Sequence, residues 1–349
     1  MSGDATDAQA ILERARVLVA PAIAEALQGL NPELRVPAQY HCDGQGKGTR
    51  PALAILSTEV AGAPSEVGLA GAVAIELIHD FSLIHDDIID DDAERRHRPT
   101  VWAKYGVGTG VITGDALHAL AYEALLCDPT PCRVRAAHEL TKAVSAMIAG
   151  QSMDMAFEHR SAITVEQCLA MEKGKTGALL SFASSVGAIL ADAPEAVIAG
   201  LAEFGMHLGV AFQAVDDLLG IWGDPAKTGK PVSSDLRERK QSVPVVFVLN
   251  QNSSEAAELA QIYARQPAEA RQLADAAAAN VVPLSDEAVQ RVRTLIEQGG
   301  GREGTQVLAH KHFELAVAAL NCVAQTNSVH TGAIQQMQCL AEFIVGRDF

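Results

Sequence analysis

Two clusters of aspartates end apolar segments of the chain. The first is Asp86, Asp87 and Asp90 in HDDIIDDD, and the second is Asp216 and Asp217 in QAVDDLLG. Residues four apart share one face of a helix, so Asp86 and Asp90 would repel each other at the helix's negative end. A hard divalent cation offsets that cost, and Mg2+ is usually shared between carboxylates and substrate phosphates. The clusters therefore predict a metal-held diphosphate site.

The alternative for these clusters is a pair of solvated acidic helix ends. A single acidic run is most often a solvated face. Two Asp-Asp pairs inside otherwise apolar segments favour a functional site over that reading.

Two short basic stretches flank the first cluster. GKGTRP covers residues 46–51, and ERRHRP covers residues 94–99. The chain has 27 Lys and Arg against 43 Asp and Glu, a formal charge of -16. A polyanionic substrate is repelled by that overall field, so it needs local cations such as these. Balancing the neighbouring aspartates at the surface is the alternative role for these cations.

The composition predicts an all-α fold. Of the 349 residues 48% are hydrophobic and only 4% aromatic, and Ala and Leu dominate. No alternation of strand and helix patterns is visible, which argues against an α/β sheet. We expect one helical domain over 1–349, with a motif-bearing core at about 44–244 and a helical C-terminal part at 245–349.

Charge and patterning exclude several classes of protein. The acidic balance disfavours nucleic-acid binding, which needs a basic face. Apolar stretches such as 179–191 are about 13 residues long, short of the roughly 20 that span a bilayer. No signal peptide is visible, and the six cysteines form no C-x-x-C pair. We expect a cytoplasmic protein without a transmembrane segment.

The motifs, in this order, resemble those of the trans-type (head-to-tail) isoprenyl diphosphate synthases. The resemblance rests on GKGTRPAL at 46–53, DDIID at 86–90, KTGAL at 175–179 and FQAVDD at 212–217, and covers about 44–244. The segment DDLLGIWGDP at 216–225 is similar to the same segment in actinobacterial members of the family, including geranylgeranyl diphosphate synthases. The resemblance implies an all-α isoprenoid synthase fold around a central apolar cavity, in a homodimer.

The resemblance also implies roles for individual residues. The isopentenyl diphosphate would be bound by Lys47, Arg50, His79 and Arg96. The allylic diphosphate would be bound by Arg95, Lys175 and Thr176, with Gln213, Lys230 and Lys240 as further substrate-binding residues. The catalytic set would be Asp86, Asp87, Asp90, Arg95, Lys175 and Asp216. Three Mg2+ ions would be bound through Asp86, Asp90 and Asp216.

The implied reaction is ionisation of the allylic diphosphate, condensation with isopentenyl diphosphate and elimination of a proton. The released diphosphate would remove that proton, so no side-chain base is required. The absence of an evident Ser/His/Asp or Cys/His set agrees with this.

Two departures from the family pattern concern phosphate and metal binding. Gly220 stands where the second motif usually has a third aspartate, and Asp224 is a hypothetical replacement for that charge. At the first basic stretch, Gln45 just before it and Gly48-Thr49 within it differ from the commoner sequence of the family motif, which has one more basic residue.

Product length should depend on the residues before the first cluster. Phe81 lies five residues before Asp86, and the small Ser82 lies four before it. The resemblance associates one aromatic at this place with a C20 product, geranylgeranyl diphosphate, and two aromatics with C15. The alternative is that Phe81 is an ordinary core residue.

Other functions remain open at this point. A terpene cyclase on the same fold would use an Asn/Ser/Glu metal triad, whose spacing Asn250, Ser254 and Glu258 match. A farnesyl (C15) or longer-chain synthase is a second possibility. A non-catalytic subunit would lack ligands that this chain retains.

Overall fold

The computed structural model describes residues 2–43, 46–157, 160, 162–223, 233–264, 284–326 and 329–346. Apart from one short hairpin, the regular structure in these ranges is helical, so the all-α prediction is confirmed. The chain forms two compact units. The first comprises Met1–Met147, Gly177–Leu208 and Glu314–Gly346, and the second Ile148–Thr176, Gly209–Phe313 and Arg347–Phe349. The expectation of a single domain stays a prediction.

The helices follow each other in this order: α1 (Ser2–Leu27), α2 (Pro32–Cys42), α3 (Thr49–Val60), α4 (Leu69–Ile89), α5 (Val101–Tyr105), α6 (Val107–Leu126), α7 (Pro131–Phe157), α8 (Val165–Glu172), α9 (Ala178–Leu190), α10 (Glu195–Trp222), α11 (Ser234–Arg237), α12 (Val243–Leu249), α13 (Ser254–Tyr263), α14 (Asp286–Gln298), α15 (Gly301–Ala324) and α16 (Thr331–Val345). A 3-10 turn, Ser65–Gly68, precedes α4, and a π-helical turn, Lys173–Gly177, joins α8 to α9.

The first unit is built on α3, α4, α6 and α9. α4 packs on α3, α6 and α9, and Leu77 and Ile78 on it are fully buried. α1 and α16 cover α3. Burial of whole apolar faces holds α4 rigidly, which positions the acidic cluster at its C-terminal end.

A hairpin follows α4. β1 (Glu94–Arg95) pairs antiparallel with β2 (Arg98–Pro99), with Arg95 opposite Arg98. The two turn residues, Arg96 and His97, have φ of 52° and 61°. Two positive φ values are typical of the tight turn that matches the twist of a two-stranded ribbon. The basic stretch is therefore ordered on a defined backbone.

The second unit has its own core, formed by α12, α13, α14 and the C-terminal end of α10. Val245, Leu259 and Val292 are fully buried in it. α8 begins with a capping box, in which Thr164 Oγ1 accepts from Gln167 N and Gln167 Oε1 accepts from Thr164 N. That cap fixes the start of the short helix leading to the π-helical turn.

Two helical stretches are long and apolar enough to cross a membrane by length and composition alone, Ser65–Ile89 and Glu195–Trp222. In their most apolar windows 56% and 50% of residues are buried inside the fold. Core helices commonly pass the same test, so this is weak evidence for a membrane span. The apolar runs considered in the sequence were shorter because polar residues interrupt both helices.

Candidate active site

The first acidic cluster caps α4. Asp90 is the C-cap, and its backbone N–H donates to Asp86 O at 2.8 Å. Asp86 is half-buried, Asp90 is exposed and Asp87 is only 1% exposed. The three carboxylates therefore differ: two reach the surface of the unit, and the third points into it.

The buried carboxylate, Asp87, binds an arginine of the hairpin. Arg95 Nε donates to Asp87 Oδ1 at 2.6 Å. Trp102 Nε1 donates to the backbone oxygens of Asp87 and Asp92, at 2.8 and 2.9 Å, and ties α5 to the end of α4. Burial raises the pKa of Asp87, and Arg95 opposes that shift. Asp87 thus orients Arg95, and its predicted place in the catalytic set stays a prediction.

A cavity of about 410 Å³ lies within the first unit, beside the hairpin. Its walls include Arg95, Arg96 and Arg98, together with the acids Glu76 and Asp80. It is also lined by Gly48 and Pro51, which flank Arg50 in the chain. The three arginines of the hairpin suit a small diphosphate in a cavity of this size.

Arg50 and His79 sit in the polar interior next to this cavity. Burial lowers the pKa of the Arg50 guanidinium, and Glu76 and Asp80 oppose the change. Burial lowers the pKa of His79 well below its usual range, and the positive charge of Arg50 and the nearby His41 lower it as well. His79 is therefore a neutral imidazole that can donate one N–H. Lys47 is exposed on the loop before α3.

Glu76 is an acid that the sequence reasoning missed. It belongs to a polar stripe on one face of α4 with His79 and Asp80, at the i, i+3 and i+4 spacing that could have revealed it. Burial and then Asp80 raise its pKa to about 8, while Arg50 and Arg96 oppose the shift.

Asp80 was also missed. Its carboxylate lies 3.3 Å from His41 Nε2 and accepts from Cys42 Sγ at 3.4 Å. These contacts join α4 to the C-terminal end of α2. They were invisible in the sequence because the partners are about 40 residues apart.

The second acidic cluster lies on α10, in the second unit. Asp216 is exposed, whereas Asp217 is 7% exposed and fully bonded. Asp217 Oδ1 accepts from Gln213 Nε2, and Oδ2 accepts from the backbone N–H of Val243, both at 2.9 Å. Burial raises the pKa of Asp217 to about 7, although these two hydrogen bonds oppose it. As in the first cluster, one carboxylate is exposed and its neighbour is structural.

The Lys-Thr pair of the KTGAL motif lies on the π-helical turn. Lys175 Nζ is 2.6 Å from Asp154 Oδ2 on α7, an acid that sequence reasoning did not select. Thr176 Oγ1 donates to Gln213 Oε1 at 2.9 Å, which ties the turn to the second acidic cluster. A Cβ on Gly150 would overlap the Lys175 backbone, so α7 approaches the turn closely only because residue 150 is glycine.

A second buried acid supports this network. Glu172, 1% exposed, is hydrogen-bonded to Asp217. Burial and then Asp217 raise its pKa well above the usual range. The shift lowers the repulsion that two buried charges would cause, because burial favours the neutral form of Glu172.

Of the later lysines, Lys240 is half-buried and pairs with Glu238 at 3.1 Å. Lys230, Asp224 and Gln45 lie outside the described residues, so their predicted roles stay predictions.

An aromatic layer surrounds Phe81. The ring of Phe81, 8% exposed, contacts His85 and His118, with centroids 4.8 and 5.1 Å apart. His118, on α6, also contacts Tyr122 at 5.2 Å. Ser82 Oγ donates to His79 O at 2.8 Å. Sequence reasoning found Phe81 but not His118 and Tyr122, because pairings between α4 and α6 cannot be read from one helix.

The residues that match a cyclase triad have structural partners. Asn250 is the C-cap of α12 and donates to Ile163 O at 2.8 Å. Glu258 accepts from Arg291 Nε at 2.6 Å and from Nη2 at 2.5 Å. The first bond ties the end of α12 to residue 163, and the second pair joins α13 to α14, which favours a structural role for Asn250 and Glu258.

The exposed carboxylates fit a hard cation that is completed by its substrate. Among the described residues no three His, Cys, Asp or Glu side chains are grouped as a self-sufficient metal site. Mg2+ needs no such cage, since it binds through one or two carboxylates plus water and phosphate oxygens. Asp87 Oδ2 is buried without a hydrogen-bond partner in the described part of the chain, so this cluster retains oxygen acceptors.

Comparison with known proteins agrees with this chemistry. Residues 31–280 match the family model described as polyprenyl synthetase. A farnesyl diphosphate synthase of Mycobacterium tuberculosis is 38% identical, over 97% of this chain and 92% of its own. A geranylgeranyl diphosphate synthase of the same species is also 38% identical, over 96% and 94%. The structure is similar to that of a polyprenyl synthetase from Streptomyces coelicolor A3(2), with 44% identity, TM-score 0.87 and coverage of 96% and 99%. The chain therefore belongs to the polyprenyl synthetase family and is a transferase of isoprenoid biosynthesis, a trans-prenyltransferase.

Proposed function

We propose that the protein condenses isopentenyl diphosphate with an allylic prenyl diphosphate and releases geranylgeranyl diphosphate, C20. The observation that carries the C20 assignment is the buried ring of Phe81, five residues before Asp86, next to the small Ser82. A hydrocarbon chain growing from the acidic cluster along α4 meets that ring after about one helical turn.

Isopentenyl diphosphate binds in the cavity of the first unit in this proposal. Arg50 and Arg96 supply fixed charge, His79 donates one neutral N–H, and Lys47 approaches from the loop. The half-buried carboxylate of Asp80, which also lines the cavity, offsets part of the repulsion among these cations before substrate arrives. Arg95, held by Asp87, and Lys175 with Thr176 bind the allylic diphosphate, and Gln213 orients Thr176.

The proposed cofactor is Mg2+, three ions per active site, with Asp86, Asp90 and Asp216 as protein ligands. When bound, the metal neutralises charge on the leaving diphosphate. Asp87 and Asp217 act differently, since each is buried and positions another side chain.

A C15 product is the second candidate, and one observation favours it. His118 and Tyr122 extend the aromatic layer around Phe81, which raises the bulk facing a growing chain. The relatives do not choose between the two lengths, since proteins of equal identity are named farnesyl and geranylgeranyl diphosphate synthases.

We also propose a cytoplasmic homodimer. Val107, Val111 and Ile112 on α6 are 51%, 39% and 54% exposed, an apolar strip that a second copy would cover. Ile112→Asp should convert the dimer into a monomer in sedimentation, whereas an unchanged mass would exclude α6 from the interface.

The test is a product assay. Purified protein with Mg2+ receives each allylic diphosphate from C5 to C20, with and without isopentenyl diphosphate, and products are read by mass spectrometry after dephosphorylation. A C20 alcohol that requires isopentenyl diphosphate supports the proposal, and a C15 endpoint selects the second candidate. A hydrocarbon or cyclic alcohol formed without isopentenyl diphosphate would reject both in favour of a cyclase.

A further inference from the structure

Tyr40, near the C-terminal end of α2, is bonded to the hairpin that follows α4. Its hydroxyl donates to Pro99 O at 2.8 Å, and Arg98 Nη2 donates to Tyr40 O at 3.2 Å. The guanidinium carbon of Arg98 also lies 4.4 Å from the centre of the Tyr40 ring. Both residues of β2 are therefore tied to one tyrosine, through its hydroxyl, its ring and its backbone oxygen.

The same ring joins α2 to α5. Lys104 Nζ lies 3.7 Å from the centre of the Tyr40 ring, and the ring of Tyr105 packs edge-on against it, with the two centres 5.6 Å apart. A cation placed over an aromatic ring is attracted by the negative face of that ring. Tyr40 therefore connects both the second strand and the helix after it to α2.

The hairpin needs such support from outside. A two-stranded hairpin is at best marginally stable in water, and each strand here has only two residues. The first strand has an anchor of its own, because Arg95 Nε donates to the buried Asp87. Tyr40 supplies the corresponding anchor for the strand that follows the turn.

The turn between these two strands bears Arg96, which lines the cavity. The side-chain nitrogens Nη1 and Nη2 of Arg96 each lie 3.9 Å from the place of a Cβ on Gly46, and Glu76 Oε1 lies 3.4 Å from that place. The guanidinium therefore reaches the loop before α3, beside Glu76. The φ of 52° at Arg96 is strained for a residue with a side chain, and such backbone persists only where its surroundings hold it.

We propose that Tyr40 is a positioning residue, which holds β2 so that Arg96 at the turn meets the diphosphate of isopentenyl diphosphate. This inference rests on the proposed function and deepens it. Without the contacts of Tyr40, the apparent affinity for isopentenyl diphosphate falls with the fraction of molecules in which Arg96 is correctly placed. Arg95 keeps its bond to Asp87, so binding of the allylic diphosphate should change little.

The experiment measures the interaction with isopentenyl diphosphate in two ways. Its binding to the protein in EDTA, without an allylic substrate, is followed by calorimetry and needs no turnover. The KM of each substrate and kcat are then measured with Mg2+. The variants are Tyr40→Phe, Tyr40→Leu, Arg96→Gln and the double variant Y40L/R96Q. Tyr105→Phe is the control, since it removes a hydroxyl from the neighbouring ring and leaves the bond between Tyr40 and Pro99 in place.

We expect Tyr40→Phe to weaken the binding of isopentenyl diphosphate by about two- to tenfold, because it removes one hydrogen bond and keeps the ring. Tyr40→Leu also removes the contacts of the ring and should weaken binding by about 10- to 100-fold. In both variants the KM for isopentenyl diphosphate should rise while kcat and the allylic KM change little. The control should stay within about twofold of wild type.

The double variant tests whether Tyr40 acts through Arg96. Y40L/R96Q should bind isopentenyl diphosphate about as weakly as Arg96→Gln alone, because the side chain that Tyr40 positions is already gone. Additive losses would overturn the inference, as would wild-type affinity in Tyr40→Leu or a fall in kcat without a change in KM.

Circular dichroism shows which variants are folded, and Tyr40→Phe takes the place of Tyr40→Leu in the double variant if the latter is not. A wild-type product other than C20 would reject the proposed product and leave the binding measurements in EDTA unaffected. The two failures are therefore distinguishable.

Discussion

Arg95 Nε lies 2.6 Å from Asp87 Oδ1, and this bond joins the hairpin to the end of α4. Asp87 is 1% exposed, so its partner is the main means by which this aspartate influences substrate. The middle aspartate of the first motif is therefore a positioning residue, and its neighbours Asp86 and Asp90 are the candidates for direct metal contact.

Asp87→Asn should raise the KM for the allylic diphosphate and lower kcat/KM by about 10- to 100-fold. The estimate follows from losing one charged hydrogen bond of about 1.5–3 kcal/mol. The concentration of Mg2+ at half-maximal rate should change little. Asp90→Asn is the matched control and should shift that Mg2+ requirement instead. A shift in Mg2+ requirement for Asp87→Asn would contradict the division of roles.

Asp154→Asn tests the pair between Lys175 and Asp154. Both side chains are about one-third exposed, so the pair adds little stability. We expect Asp154→Asn to lower the free energy of unfolding, measured with urea, by no more than about 1 kcal/mol. Lys175→Ala should cost more than tenfold in kcat/KM for the allylic substrate, because a phosphate-binding cation is lost. Equal activity losses for the two variants would mean that Asp154 itself binds substrate.

Phe81→Ala should lengthen the product by at least one isoprene unit, because it removes the ring at the centre of the aromatic layer. His118→Ala should act in the same direction with a smaller effect. Ser82→Phe should shorten the product toward C15 by adding a second ring. Mass spectrometry of dephosphorylated products checks all three, with thermal unfolding as the control for lost packing. Unchanged lengths in Phe81→Ala would make this ring an ordinary core residue.

Glu76 should make the stability of the protein depend on pH. Its pKa is raised to about 8 by burial and then by Asp80, so the folded state holds its proton more tightly than the unfolded chain does. Its contribution is complete below the unfolded pKa near 4.5 and is lost as pH rises through about 8. Glu76→Gln should reduce that loss, as urea unfolding at pH 5.5 and 8.5 would show. An identical pH dependence in wild type and variant would mean that Glu76 is ionised in the fold.

Some of this site could be predicted from the sequence and some could not, for physical reasons. The aspartate pairs and the Lys-Thr pair are local patterns, and helical spacing alone places Asp86 and Asp90 on one face. Asp154 was missed because its partner, Lys175, lies 21 positions away, and no local pattern encodes that packing. Glu76 and Asp80 lie at helical spacing that a search for polar faces would have found. They were overlooked because most of the surrounding residues of α4 are apolar. Asp224 is the first acid after Gly220 in the sequence, whereas the carboxylate that a Cβ on Gly220 would meet, among the described residues, belongs to Asp235.

The hairpin turn shows where the protein could be made more robust without touching its chemistry. Arg96 and His97 both adopt left-handed backbone, which costs non-glycine residues on the order of 1 kcal/mol each. Arg96 lines the cavity, so relaxing it would discard a cation, while His97 does not line the cavity and its side chain is 82% exposed. Asparagine or glycine at position 97 would therefore reduce the backbone strain at this turn and raise the stability of the fold. At position 96 the arginine is needed for substrate binding in the proposed function, so the same substitution there would cost activity.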